Sequence, residues 1–178
     1  MKTVFDCADI KPLSGYYPKG GNLIPAVPGL YSFWWLGSRR VLMDAQLNVT
    51  LKGPGEKPVH LRYADWFPSG LPHCPLYIGK STNLKKRISQ HILIKTESRV
   101  YPKTANFEKV KPKTTSCQLR TGIEHIFPSV DAPLNLIMKN VGISFCQLAE
   151  AKNVADRFYL EDYAIGYYRP WFNLDSER

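Results

Sequence analysis

Residues 75–92 read PLYIGKSTNLKKRISQHI. The stretch changes its period halfway. Pro75-Leu76-Tyr77-Ile78-Gly79 is a short apolar run ended by a glycine, which predicts a strand. From Leu84 onward apolar residues recur every fourth position, at Leu84, Ile88 and Ile92. That spacing predicts a helix over about 82–94, packed on the sheet by this stripe. Ser81 stands where its hydroxyl can accept a bond from an unpaired amide of the first turn. Gly79 is expected to let the chain turn sharply out of the strand. Arg87 and His91 are four apart and share a helical face. They lie beside the packed stripe, which puts Arg87 near the boundary between core and solvent.

Working outward toward the N-terminus, Gly29-Leu30-Tyr31-Ser32-Phe33-Trp34-Trp35-Leu36 is aromatic and apolar and lies between Pro28 and Gly37. It predicts a strand in the centre of a sheet. The arm before it, 1–27, carries Gly15, Pro18, Gly20, Gly21 and Pro25 and is expected to be loosely structured. The segment 37–72 holds a hairpin over about 40–64. Its alternation runs through Val41, Met43 and Ala45, then Leu47, Val49 and Leu51. After the turn signal Lys52-Gly53-Pro54-Gly55 it resumes at Val59 and Leu61. Toward the C-terminus, 95–120 is the most basic stretch, with seven Lys and Arg against Glu97 and Glu108. A helix is expected from Thr115 through Leu119, Ile123 and Ile126, and a strand over 141–148. A long helix over 150–168 follows, with Val154, Phe158, Leu160, Tyr163 and Ile165 mostly inward, ended by Arg169-Pro170. Strands first and helices later predict an α+β fold in one domain.

The chain has 178 residues, a formal charge of +9 and 44% hydrophobic residues, enough apolar material for a core. No run approaches the roughly 18 apolar residues that a membrane helix needs. Met1–Ile10 carries Asp6 and Asp9 and no apolar h-region, so it does not read as a secretory signal. Cys7, Cys74, Cys117 and Cys146 lack zinc-ribbon spacing. These features lead to the expectation of a reduced, cytoplasmic protein without a membrane span. The positive balance points to an anionic partner.

Several residues carry chemistry if they meet. Arg87 suits a phosphate through its bidentate fork, although alone its ordinary reading is a surface cation with a buried stem. Tyr31 and Tyr77, on adjacent strands and facing an arginine, suit the orientation of a water, although a strand phenol is ordinarily core packing. Glu161, a carboxylate on a mostly apolar helix, suits Mg²⁺ or Mn²⁺. Its ordinary reading is a salt bridge with Arg157, four residues earlier.

The ordered set resembles the signature of the GIY-YIG nuclease family. Gly29-Leu30-Tyr31 is similar to its first half, with Leu for Ile. Tyr77-Ile78-Gly79, then Asn83-Leu84, Arg87 and His91, is similar to the second, and Glu161 and Asn173 fall where that family has a late glutamate and asparagine. The resemblance covers 28–36, 76–91 and about 158–173. It implies a small three-stranded antiparallel sheet flanked by helices, and metal-dependent hydrolysis of phosphodiesters. By the same resemblance Tyr31 is the general base or the residue that positions water. Tyr77 bonds the phosphate or the nucleophile, and Arg87 stabilises charge on the phosphate. His91 assists Tyr31 or contacts a phosphate oxygen, and Glu161 holds the metal. Gly29, Gly79 and Asn173 support the site. Which of Tyr31, Tyr77 and His91 is the base stays open.

Two departures stand out. Forty-five residues separate Tyr31 from Tyr77, where the family has a short turn, and the gap from Arg87 to Glu161 is also long. The first gap holds Arg39, Arg40, Lys52, Lys57 and Arg62. The second holds Lys103, Lys109, Lys111, Lys113 and Arg120. With Lys80 these are the candidate DNA contacts, Arg39, Arg40, Lys80 and the second group foremost. Asn48, Asn106, Gln118 and Arg120 are candidates for base edges. Inserted recognition elements liken the chain to the family's type II restriction endonucleases. The expected partner is therefore double-stranded DNA, and a palindromic site would go with a homodimer. The competing expectations are a structure-specific repair or mobile-element nuclease, and a non-catalytic nucleic-acid-binding protein on the same scaffold.

Overall fold

The strand predicted at the centre is the centre. β2 (Gly29–Trp35) is buried along its whole length. Its alternation feeds two cores. Tyr31, Phe33 and Trp35 point into one cluster, while Leu30 and Trp34 point into another on the opposite face. A strand covered on both faces reads as a continuous apolar run, and this one does. The computed structural model describes residues 4–6, 9–18, 21–52, 57–63, 70–93, 118–148 and 153–173.

In chain order the elements begin with β1 (Lys11–Pro12), α1 (Leu13–Tyr16), β2, α2 (Arg39–Met43), β3 (Asn48–Lys52), β4 (Pro58–Arg62) and β5 (Cys74–Ser81). There follow α3 (Leu84–Leu93), α4 (Gln118–Ile126), α5 (Pro133–Asn140), β6 (Val141–Gln147) and α6 (Asn153–Tyr168), with a 3₁₀ turn at Trp171–Asn173. The fold is α+β. Its main sheet is antiparallel with strand order β1-β6-β2-β5, and β3 and β4 form a separate two-stranded ribbon. Among the described residues no helix is long and apolar enough to cross a membrane.

Several expectations change. The sheet has a fourth strand, β1, contributed by the arm that was expected to be loose. That arm is tied down where it carries apolar side chains, with Phe5, Leu13 and Ile24 buried. The Tyr168 hydroxyl donates to the Phe5 carbonyl at 2.8 Å. The first turn of α3 is capped by Asn83, whose side-chain oxygen accepts the Lys86 amide at 2.9 Å. Ser81 instead accepts the Asn83 amide and so shapes the approach. The hairpin is shorter than its alternation suggested, because Arg39–Met43 forms a helical turn. Helix α5 was not foreseen.

The inward face of α6 differs most from expectation. Val154, Phe158 and Tyr163 are exposed, and the buried positions are Arg157, Glu161, Ala164 and Tyr168. The reason lies on β5, an edge strand whose outer backbone groups need partners. Asn173 Oδ1 accepts the Ile78 amide and its Nδ2 donates to the Ile78 carbonyl, both at 2.8 Å. Two residues along, the Lys80 amide donates to Glu161 Oε1 at 2.8 Å. Alternate residues of an edge strand point their amides outward. One carboxamide and one carboxylate thus close this edge in place of a further strand.

Candidate functional site

In the β2–β5 ladder Tyr31 lies directly opposite Gly79. An alanine Cβ at position 79 would sit 2.5 Å from Tyr31 Oη and 2.9 Å from Tyr77 Cε1. Gly79 lies within β5, and among the described residues the only glycine with positive φ is Gly70. The expected turn is therefore corrected. Position 79 needs glycine for clearance, since the Tyr31 hydroxyl occupies the space a side chain would take. Gly79→Ala is expected to cost about 1–3 kcal/mol by overpacking, read as a lower urea midpoint. An unchanged midpoint would mean that Tyr31 is not held against this backbone.

From α3, His91 reaches the same point. Its Nε2 lies 2.7 Å from Tyr31 Oη, and its ring centroid is 4.9 Å from that of Tyr77. Tyr31 and His91 are fully buried and Tyr77 nearly so. Arg87, one turn before His91, hydrogen-bonds the Tyr31 side chain. The predicted shared face of Arg87 and His91 thus meets both Tyr31 and Tyr77.

Burial and charge set the protonation states. Burial pushes the Tyr31 hydroxyl well above its usual 10; Tyr77 adds to this, Arg87 opposes it, and Glu161 contributes a further upward push. Burial, helped by the Arg87 charge, lowers His91 to about 3. At neutral pH the pair is therefore a neutral phenol and a neutral imidazole. The Leu119 amide of α4 points at His91 Nδ1, at 3.5 Å. A donor there assigns the ring hydrogen to Nε2. His91 then donates to Tyr31 Oη, which also receives Arg87. The phenol's own hydrogen is left to point away from both.

His91 also makes stability depend on acid. Its folded value lies below the unfolded value near 6.5, so its contribution is present above pH 6.5 and lost as pH falls from 6.5 toward 3. Below pH 6 the wild type should lose about 1.4 kcal/mol more per pH unit than His91→Gln. Urea unfolding at pH 7.5, 5.5 and 4.5 reads the difference. Parallel profiles would show that His91 is protonated in the folded protein.

The second group lies at the edge of β5. Glu161 is 4% exposed. One of its oxygens accepts the Lys80 amide, and the other meets the Lys80 ammonium in an ion pair. That ammonium also lies 4.3 Å over the Phe158 ring. Lys80, expected at the DNA backbone, is thus turned to Glu161. No sequence signal foretold this, because the partners are 81 residues apart. Arg157 Nη1 donates to the Ser81 carbonyl at 3.5 Å. Gly29 packs so closely on the Cys146 carbonyl that a side chain there would collide with it.

Of the other expected DNA contacts, Arg39 and Arg40 are exposed on α2. Arg120 is corrected. It is 8% exposed, and its Nε donates to Glu124 at 2.7 Å, so it is a core-side ion pair. Lys103, Lys109, Lys111 and Lys113 lie outside the described residues, as does most of the 95–120 insertion. No family model, curated protein or solved structure matches the chain.

Proposed function

We propose that the chain is a divalent-metal-dependent endonuclease of the GIY-YIG kind, cutting double-stranded DNA at specific sequences. One observation carries this reading. Tyr31, Tyr77, Arg87 and His91, drawn from two strands and a helix, converge on Gly79, with the Glu161 carboxylate at the adjoining edge of the same strand. An idle scaffold has no use for a buried phenol and imidazole assembled with a half-buried guanidinium at one place.

Each residue has a chemical part. Tyr31, with two donors on its oxygen, is set to orient a water by its remaining hydrogen. In its minor ionised form Tyr31, its phenolate charge stabilised by His91 and Arg87, takes a proton from that water and becomes the neutral phenol, while the water oxygen bonds to phosphorus and the leaving oxygen departs. Arg87 has further donors for the phosphate, whose charge grows in the transition state. Tyr77 packs the imidazole and supplies a hydroxyl at the same wall. Among the described residues no cluster of three His, Cys, Asp or Glu exists that could cage a metal. With the Lys80 ammonium displaced from its second oxygen, Glu161 would offer the one carboxylate of the kind of site Mg²⁺ accepts, completed by waters and the substrate phosphate. A cation held there would supply Lewis acidity to the scissile phosphate.

The test is digestion of several mapped plasmids with Mg²⁺ beside an EDTA control. Discrete fragments that vanish with EDTA are expected. Intact plasmids throughout would overturn the reading, and a smear would remove sequence specificity from it.

A further inference from the structure

We infer that the β3–β4 ribbon is a reading head for the major groove of duplex DNA, with Asn48, Thr50, His60 and Arg62 presented to base edges. The inference rests on the nuclease reading above and names how its substrate is selected. The ladder pairs Asn48 with Arg62 and Thr50 with His60. Alternate residues of a strand share a face, so these four lie on one face, with Val59 and Leu61 on the other. All four are exposed. Together they offer a carboxamide, a hydroxyl, an imidazole and a guanidinium, the groups that read purine and pyrimidine edges. Thr50 Oγ1 and His60 Nδ1 are 3.0 Å apart, which fixes two of these side chains against each other.

Charge and width choose the occupant. Residues 48–62 carry Lys52, Lys57 and Arg62 against Glu56, and Arg39 and Arg40 come just before them. A two-stranded ribbon fits the major groove of B-form DNA, about 12 Å wide. The deep, narrow major groove of A-form RNA excludes it. Single strands are gripped by stacking on aromatic side chains, and apart from the His60 imidazole these four offer none.

An isolated two-stranded ribbon is barely stable, so a reading head needs an anchor. Tyr63, at the foot of β4, donates its amide to the Leu47 carbonyl at 3.0 Å. Its ring stacks on Trp171 at 5.4 Å with a 12° tilt, and His125 Nε2 meets the Asn48 carbonyl at 3.0 Å. Trp171 belongs to the 3₁₀ turn whose Asn173 holds Ile78, the residue between Tyr77 and Gly79. The ribbon is thus indexed to the strand that carries the site through one short chain of packed contacts. Such indexing is what fixes a cut at a constant distance from the bases read.

The experiment is selection from a random-core duplex pool by the full chain without divalent metal, repeated with His60→Ala/Arg62→Ala. The wild type should enrich a motif. The double variant should bind the enriched duplex roughly ten- to a hundred-fold more weakly. Replacing purine N7 by carbon within the motif, which alters only the major groove, should weaken the wild type by a similar factor. Three results would each overturn the inference: no enriched motif, the same motif at undiminished affinity in the double variant, or indifference to the N7 change. The nuclease reading fails separately. A protein that selects a motif through the ribbon yet cuts no plasmid loses that reading and keeps this one.

Discussion

Glu161→Gln is expected to lower cleavage by roughly 10²–10³-fold, the range found when one charge-stabilising group is removed from an active site. The substitution keeps shape and one bond. A glutamine oxygen still accepts the Lys80 amide, so the edge of β5 stays closed. The fold should therefore survive, with a urea midpoint close to wild type. Only the negative charge is lost, and with it the one buried carboxylate that the described residues place at the β5 edge. DNA affinity without metal should hold or rise slightly, because one repulsive charge has gone and the Lys80 ammonium is released from its ion pair. Full cleavage by this variant would take the metal away from Glu161. A collapsed fold would show that the carboxylate serves the edge of β5 alone, and Asn173→Asp, placed on the same edge, would then behave alike.

How much of this was legible depended on the range of the interaction. Apolar runs bounded by proline or glycine located β2 and β5, the four-residue stripe of Leu84, Ile88 and Ile92 located α3 with its buried side, and the apolar stretch before Arg169-Pro170 located α6 without its buried side. The order Tyr31, Tyr77, Arg87, His91, Glu161 was also legible. What escaped was set by distant partners. The buried face of α6 carries Arg157 and Glu161, and a count of apolar residues chose Phe158 and Tyr163 instead. A helix that seals an open strand edge with a carboxylate hides its polar face from any hydrophobic pattern. Gly79 read as a turn because its reason, the Tyr31 ring opposite, exists only once the two strands are in register. Arg120 read as a DNA contact because its charge was visible and its neighbour Glu124 was not weighed. Helix α5 carried a weak signal, Pro133 at a first-turn position followed by Leu134, Ile137 and Met138, and went unread.

The pH profile of cleavage should separate Tyr31 from His91 as the base most sharply. His91 is held near 3, so it is neutral across the working range and its titration contributes no inflection near pH 6.5. Tyr31 is held well above 10, so only a small fraction is ionised at neutral pH, and that fraction grows tenfold per pH unit. If the phenolate takes the proton from water, the single-turnover rate at saturating Mg²⁺ should climb by about tenfold per unit between pH 6.5 and 9. Tyr31→Phe removes the hydroxyl without opening a cavity. It should slow cleavage by roughly 10²–10⁴-fold, the span of general-base effects, and flatten the climb. His91→Gln should slow cleavage while keeping the slope, because it perturbs a donor to Tyr31 Oη and leaves the titrating group in place. A wild-type rate that stays flat between pH 6.5 and 9 would reverse the assignment. It would make the imidazole the base and require its Nε2 to accept from Tyr31, with the ring hydrogen moved to Nδ1 against the Leu119 amide.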